Sequence, residues 1–375
     1  MNIVLSNDAK TIAGGENYVL YLADGLRNKG HNVFIAPMCN SELSRVANSN
    51  GFPVAPTPYG KGGKEFKAVS VLFNQLKNNK IDIVHSNSNL DRTVAAIAGR
   101  LLKVINFSSV HLCMSINRNL THAIRNRFLI DRFTPVGFAT KKILVEKDRI
   151  PPDKVSVVHI GLPENKFLFD PESRKKIRYE FNILKDEIVV GTVSRLVEFK
   201  GHIYLMKAFS ELQKTYPNFR LLIIGDGPLK HELLTESKNL NIEQLTIFAG
   251  SRKDISEILS AMDVFAQTSK DFGGESFPVS ILEAMSVGLP VIASNVGDIN
   301  CMINDSNGFL IKPENINDII NSLNVLMESE TLRKEFGSNS RKLFTQKFTI
   351  NKMIDEMEGL YLKELSTGSK KNKFG

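Results

Sequence analysis

Short apolar runs alternate with amphipathic stretches along most of the chain. That alternation predicts parallel strands wrapped by helices. In the first half the strand candidates are 2–6, 32–36, 81–85, 105–110, 133–136 and 155–158. Residues 15–29 and 64–79 read as helices. In the first, Leu20, Ala23 and Leu26 recur at helical spacing and Gly30 sits where a terminating glycine belongs. The pattern restarts in the second half, with strands at Ile188–Ser194, Arg220–Ile224, Leu245–Ala249, Val264–Thr268 and Pro290–Ser294. Helices are expected at 201–215, 229–239, 254–261 and 278–287. The segment 161–187, with Pro163, Pro171 and mixed charge, reads as the boundary. A final helix is expected over roughly 349–365, followed by a polar, Lys-rich tail.

The length of 375 residues agrees with two domains, since single cores rarely exceed about 250–300 residues. The fold class is α/β, with two doubly wound, Rossmann-like domains. Such domains bind ligands at the carboxyl ends of their strands, and two facing domains would make a cleft. No apolar run approaches the ~20 residues of a membrane span, and the chain opens directly on the strand-like Asn2–Leu5, so no signal peptide is expected. Cys39, Cys113 and Cys301 show no metal or redox spacing, which suits a reducing, cytoplasmic compartment.

Charge changes the picture by its placement. Residues 1–160 carry 21 Lys and Arg against 11 Asp and Glu, and the remainder 27 against 29. The basic half suits attraction to an anionic membrane or acceptor as well as plain solubility. Nucleic acid is disfavoured, because no binding motif accompanies the charge.

Three loops carry candidate chemistry. Asp271–Met285 follows a strand and leads into a helix, with Glu275 on the loop, Glu283 inside the helix and Pro278 in the first turn. Free N–H groups at that helix start favour anionic or hydroxyl-rich ligands. Val190–His202 is a strand, loop and helix start in which Arg195 and Lys200 form a plausible diphosphate clamp. Thr11–Asn17 presents Gly14-Gly15 between the first strand and helix, where paired glycines admit close backbone approach. Neither the dinucleotide fingerprint nor a Walker A motif is present. Taken singly, each carboxylate or base could be a solvated surface charge; their joint spacing is what points to a site.

With those residues in view, the chain resembles the family 4 (group 1) retaining glycosyltransferases of the GT-B fold. The resemblance is strongest over 186–312. It rests on the Glu275…Glu283 spacing with Phe277-Pro278 and Glu283-Ala284-Met285, and on Arg195 and Lys200-Gly201. Ile224-Gly-Asp-Gly-Pro228 and Gly288–Ser294 add to it. It implies an acceptor-side domain over 1–165 and a nucleotide-sugar-binding domain over 166–348. It also implies that the helix 349–365 packs back on the first domain, with 366–375 a disordered tail.

The resemblance assigns roles. Arg195 and Lys200 would neutralise the donor diphosphate, and Glu283 would hold the ribose hydroxyls. Glu275, with the backbone of Ser276, Phe277 and Pro278, would face the transferred sugar. Gly14 and Gly15 would close over the phosphates. Gly250, Ser251 and Arg252 would border the base, and His111 would stand near the reacting sugar. A hexose-type sugar would move from a nucleoside-diphosphate sugar to a glycan or glycolipid in cell-surface polysaccharide or lipopolysaccharide synthesis. No cofactor or metal is expected. The rival readings are a nucleotide-sugar epimerase and a non-catalytic homologue acting as a partner subunit. The chain departs from the family's usual pattern at His159-Ile160-Gly161, at Gly137-Phe138 and in the added Asp271–Gly274. The acceptor is expected at Asn87-Ser88-Asn89 and at 111–132. The latter reads as a basic amphipathic helix, able to lie on the inner face of an anionic membrane or to pack into the core.

Overall fold

Two five- to six-stranded parallel sheets organise the chain. The computed structural model describes residues 1–12, 14–60 and 63–371. Contacts divide them into one unit of Met1–Gly161 with the C-terminal stretch from Ile350, and a second of Leu162–Thr349.

The first unit runs β1 (Asn2–Asn7), α1 (Gly14–Asn28), β2 (Asn32–Pro37), α2 (Glu42–Ser49), α3 (Lys64–Asn78), β3 (Ile83–Ser86), α4 (Leu90–Leu102), β4 (Ile105–Val110), α5 (Leu120–Phe128), β5 (Arg132–Pro135) and α6 (Phe138–Lys142). Its strand order is β2-β1-β3-β4-β5, all parallel. The order reverses between β1 and β3, so the crevice of this sheet opens where Asp8 and Asn87 leave it.

The second unit comprises α7 (Pro171–Glu180), β6 (Ile188–Val193), α8 (His202–Leu212), β7 (Phe219–Ile224), α9 (Lys230–Asn239), β8 (Thr246–Gly250), α10 (Ile255–Ala261), β9 (Val264–Gln267), α11 (Val279–Val287), β10 (Val291–Ser294), β11 (Gly308–Ile311), α12 (Ile316–Glu328) and α13 (Glu330–Lys347). The order β11-β10-β9-β6-β7-β8 reverses between β9 and β6. Strands β9 and β10 are buried along their whole length. That is what a parallel sheet covered on both faces requires, and it explains their unbroken apolar sequence. Phe209, Phe219, Leu221, Val264 and Ile292 lie at the centre of this core.

The last helix, α14 (Ile350–Lys371), belongs to the first unit. Met353, Ile354, Met357 and Tyr361 form its buried stripe at helical spacing. Tyr361 meets Phe107 edge-on at 4.7 Å.

Several expectations need correction. Residues 366–371 are helical rather than a disordered tail: the Ser366 and Thr367 hydroxyls bond back to the Lys363 and Glu364 carbonyls within the helix. Residues 372–375 lie outside the described residues. The unit boundary falls after Gly161 rather than after 165. The 161–187 segment is not mere linker, because Asp170 caps α7 with Pro171 in its first turn. Arg174 and Arg178 then grip Asp263 at 2.6 and 2.7 Å. Residues 155–158 make one bridge, Val155 to Phe133, and no ladder. The stretch 111–132 is helical only over Leu120–Phe128. Among the described residues no helix is long and apolar enough to cross a membrane.

Candidate functional site

The reversal between β6 and β9 brings two loops side by side in the second unit. The loop after β6 is fixed by its backbone: Ser194 N–H donates to Ile224, and Leu196 N–H to Asp226, both at 3.0 Å. A side chain at Gly225 would place its Cβ 1.9 Å from the Ser194 carbonyl, so the glycine permits this approach. At Gly201 the backbone is left-handed, with φ 64°, and a Cβ would lie 2.0 Å from the Thr268 carbonyl. The Thr268 hydroxyl donates back to the Gly201 carbonyl at 2.9 Å. Glycine at 201 therefore lets the loops after β6 and β9 lock together.

That lock sets the central contact. Lys200 Nζ lies 2.5 Å from Glu275 Oε2. The same oxygen accepts from Gln267 Nε2 at 3.0 Å and from Ser269 Oγ at 2.9 Å. Ser280, in the first turn of α11, donates to Gln267 Oε1 at 2.8 Å and so turns the amide N–H toward Glu275. Three donors thus fix one carboxylate oxygen, while Oε1 accepts no hydrogen bond among the described residues. Ser276 and Phe277 are buried beside it, and Phe277 packs on Phe348 at 5.6 Å. Pro278 is the capping residue of α11 rather than its first helical residue.

Glu283, one turn into α11, is half-buried. Burial pushes its carboxyl up to about 7, against a smaller opposing pull from Lys166. Arg195 is exposed, and among the described residues no hydrogen bond or ion pair engages its guanidinium. The Arg252 side chain is instead committed, to Glu180 at 2.5 Å and Asp254 at 2.6 Å. His202, beside Lys200, shares a hydrogen bond with Ser194 Oγ at 2.8 Å. Burial, then the Lys200 charge, holds its imidazole down to about 4.

In the first unit Gly14 and Gly15 open α1, and a Cβ at Gly15 would touch nothing within 4 Å. Gly15 and His111 line one pocket of about 510 Å³ with Asp8, Glu16, Asn87–Leu90 and Arg92. His111 stacks edge-on against Tyr18 at 4.8 Å, and its buried Nε2 has no hydrogen-bond partner among the described residues. Burial and the Arg92 charge hold the imidazole down to about 4, so it is neutral at pH 7. Ser88 and Leu90 bind Asp8, at 2.8 and 2.6 Å, closing the loop after β3 over the end of β1. Among the described residues no three His, Cys, Asp or Glu side chains gather as metal ligands.

The structure therefore sorts the sequence candidates into two groups. Arg195, Lys200, Gly250–Arg252, Glu275–Pro278 and Glu283 lie in the second unit, and Gly14, Gly15 and His111 in the first. Gln267, Ser269 and Ser280 escaped sequence reasoning. The signal for Gln267 and Ser269, a polar pair ending an apolar strand, becomes specific only when the fold shows which carboxylate they face.

Known proteins share the sequence pattern and the fold. Residues 173–343 match the profile of the glycosyl transferases group 1, and residues 12–166 that of Glycosyltransferase Family 4. The chain is 29% identical over 315 residues to the UDP-Gal:alpha-D-GlcNAc-diphosphoundecaprenol alpha-1,3-galactosyltransferase of Escherichia coli, covering 80% of each chain. The solved structure of Anabaena HepE in complex with UDP superposes with a TM-score of 0.86 at 20% identity, covering 97% of this chain and all of that one. The lipopolysaccharide outer core galactosyltransferase WaaB superposes with a TM-score of 0.74 at 19% identity, covering 97% and 100%. The chain belongs to the group 1, family 4 glycosyltransferases and has their GT-B fold.

Proposed function

We propose that this glycosyltransferase is a retaining, metal-independent enzyme that moves a hexose-type sugar from a nucleoside-diphosphate sugar to a glycolipid acceptor. The observation that carries the reading is the Lys200–Glu275 ion pair at the β6–β9 reversal, with Arg195 on the same loop after β6. Breaking the anomeric C–O bond leaves positive charge on the sugar and negative charge on the departing diphosphate. Arg195, exposed and without an ion pair among the described residues, is available to that diphosphate. Lys200 has three N–H donors and spends one on Glu275, so it can bridge Glu275 and a phosphate oxygen. These cations would stabilise the leaving group without a divalent ion.

Glu283 would accept the ribose hydroxyls. Glu275 Oε1 would accept from a hydroxyl of the transferred sugar, with Ser276–Pro278 beside it. His111, neutral at pH 7, would hydrogen-bond that sugar rather than serve as a strong acid. The acceptor hydroxyl would attack from the face the diphosphate leaves, passing its proton to the departing phosphate oxygen. The new glycosidic bond would then keep the donor's configuration. The likeness to the Escherichia coli galactosyltransferase supports a lipid-linked acceptor and UDP as the donor nucleotide. The basic excess of residues 1–160 suits work at the cytoplasmic face of an anionic membrane.

The test is a transfer assay with UDP-hexoses and a short-chain lipid-diphosphate-linked sugar, with and without EDTA. The anomeric proton coupling of the product is read by NMR. An α-linked product from an α-donor, formed within twofold of the same rate in EDTA, supports the proposal. A β-linked product overturns retention, and loss of activity in EDTA overturns metal independence. Isomerised donor without acceptor would favour the epimerase reading.

A further inference from the structure

Beside the His111 pocket, the first unit holds a second cavity of about 670 Å³ with an unusual lining. Its walls are apolar at Leu90, Ile97, Ile124 and Leu129, yet Arg118, Arg125 and His122 reach it. Arg125 is 4% exposed. Its Nε donates to Asn126 Oδ1 at 2.9 Å and its Nη1 to Thr93 Oγ1 at 2.5 Å, and both partners are neutral. Among the described residues its buried Nη2 has no hydrogen-bond partner, and neither has Nδ1 of His122. Among the described residues no ion pair engages Arg92, Arg118 or Arg125.

An uncompensated buried guanidinium is costly, and burial with repulsion from Arg92 pulls Arg125 down to about 9. Asp91, the carboxylate whose charge reaches Arg125, is itself bound to Ser6, Asn87 and Ser88. Glu65 on the rim accepts from the Gly63 N–H. The cavity therefore sets the Arg118 and Arg125 guanidinium groups against a single rim carboxylate, Glu65, and no described carboxylate forms an ion pair with either arginine.

The helix α5 is inside-out for a core helix. Arg125 and Asn126 point inward, while Leu120, Ile124 and Phe128, four residues apart, are 75%, 50% and 61% exposed. The two cavities also share walls at Asn89, Leu90 and Arg118. A molecule with its sugar beside His111 would carry its next group past Arg118 into the second cavity. We infer that this cavity holds the phosphate or diphosphate of an amphiphilic acceptor, a sugar joined through phosphate to an apolar chain, with the chain leaving along Ile97, Ile124 and the exposed face of α5. This rests on the glycosyl-transfer reading for the neighbouring pocket and adds to it the acceptor's anionic group and its two arginine ligands.

The test is calorimetric titration of the full-length chain with farnesyl diphosphate, inorganic pyrophosphate and farnesol, repeated with saturating UDP. The variants are Arg118→Gln and Arg125→Gln. Arg118 is exposed, so its variant keeps the test readable if loss of the buried Arg125 impairs folding. The expected result is farnesyl diphosphate binding that survives saturating UDP. It should weaken at least tenfold in each folded variant and exceed both pyrophosphate and farnesol binding. Unchanged affinity in Arg118→Gln and in folded Arg125→Gln would overturn the proposal, as would displacement by UDP. Equal binding of pyrophosphate would make this a free-anion site and equally overturn it. Should the expected pattern hold while no nucleotide sugar binds the wild type, the donor reading fails and the phosphate subsite stands.

Discussion

Single charged residues divide here into those the protein has already satisfied and those it holds in reserve. Among the described residues no hydrogen bond or ion pair engages the Arg195 guanidinium. Arg195→Ala should leave thermal stability within about 0.5 kcal/mol of wild type while weakening nucleoside-diphosphate binding roughly tenfold, for the loss of a charge-assisted hydrogen bond. Unchanged affinity by calorimetry would remove it from the site. Lys200 is different, since Lys200→Ala takes one of three donors from a nearly buried Glu275 oxygen. It should cost on the order of 1–3 kcal/mol of stability as well as donor affinity, read together in denaturant melts and titrations.

Glu283 predicts a pH effect. The folded chain keeps its proton up to about 7, whereas the unfolded chain releases it near the model-peptide value of 4.5. The folded state thus binds more protons across that window, and stability from this group falls as pH rises from about 4.5 to 7. Glu283→Gln should flatten that decline in melts taken across the window; an unaltered slope would contradict the burial argument. At this scale the sequence made the charged candidates legible through their spacing. It did not disclose that Gln267, Ser269 and Ser280 hold Glu275, because those contacts join β9, its loop and α11 through packing. Nor did it show that Arg252 is spent on Glu180 and Asp254.

At the scale of elements, the site depends on loops that only glycine can make. Gly201→Ala would force a Cβ against the Thr268 carbonyl in a left-handed turn. It should destabilise the second unit by more than the ~1 kcal/mol typical of a left-handed position alone. It should also displace Lys200, so donor affinity should fall with it; a melt and a titration on one sample would show both. Buried strands such as Val264–Gln267 and Val291–Ser294 were legible, because parallel strands covered on both faces must be continuously apolar. Strand β11 was not, since its burial is mixed, with Leu310 exposed. Helix α7 was masked by charge, and its Asp170-Pro171 start carried a signal that the mixed composition obscured. The 111–132 segment shows the limit most clearly. Its basic and apolar residues suggested one amphipathic helix, but the chain turns at Asn119 and folds Arg125 inward.

At the scale of the whole molecule, the chain leaves its first unit at Gly161 and returns to it at Ile350. The return is built on Tyr361, whose hydroxyl meets Nδ1 of the buried His85 at 2.5 Å. Arg132 and Glu364 add an ion pair, and Glu358 bridges Lys29 and His31, both at 2.7 Å. Tyr361→Phe should cost about 1–3 kcal/mol by leaving the histidine without that partner, and calorimetric melting should register it in the first unit's transition. The division into two α/β halves was legible from the restart of the apolar pattern. That α14 joins the first unit was an expectation of the family resemblance and not of the pattern, because a helix's apolar stripe does not say which sheet it covers; the contacts group it with Met1–Gly161.

A nucleoside-diphosphate sugar at the β6–β9 reversal is the reading on which the proposed function stands. It is tested by binding of UDP-, GDP- and ADP-sugars, followed by thermal shift and calorimetry, on wild type, Arg195→Ala and Glu283→Ala. One nucleotide class should stabilise wild type and bind both folded variants at least tenfold more weakly. Folded wild type that responds to none of them, or variants that bind as tightly as wild type, would contradict it.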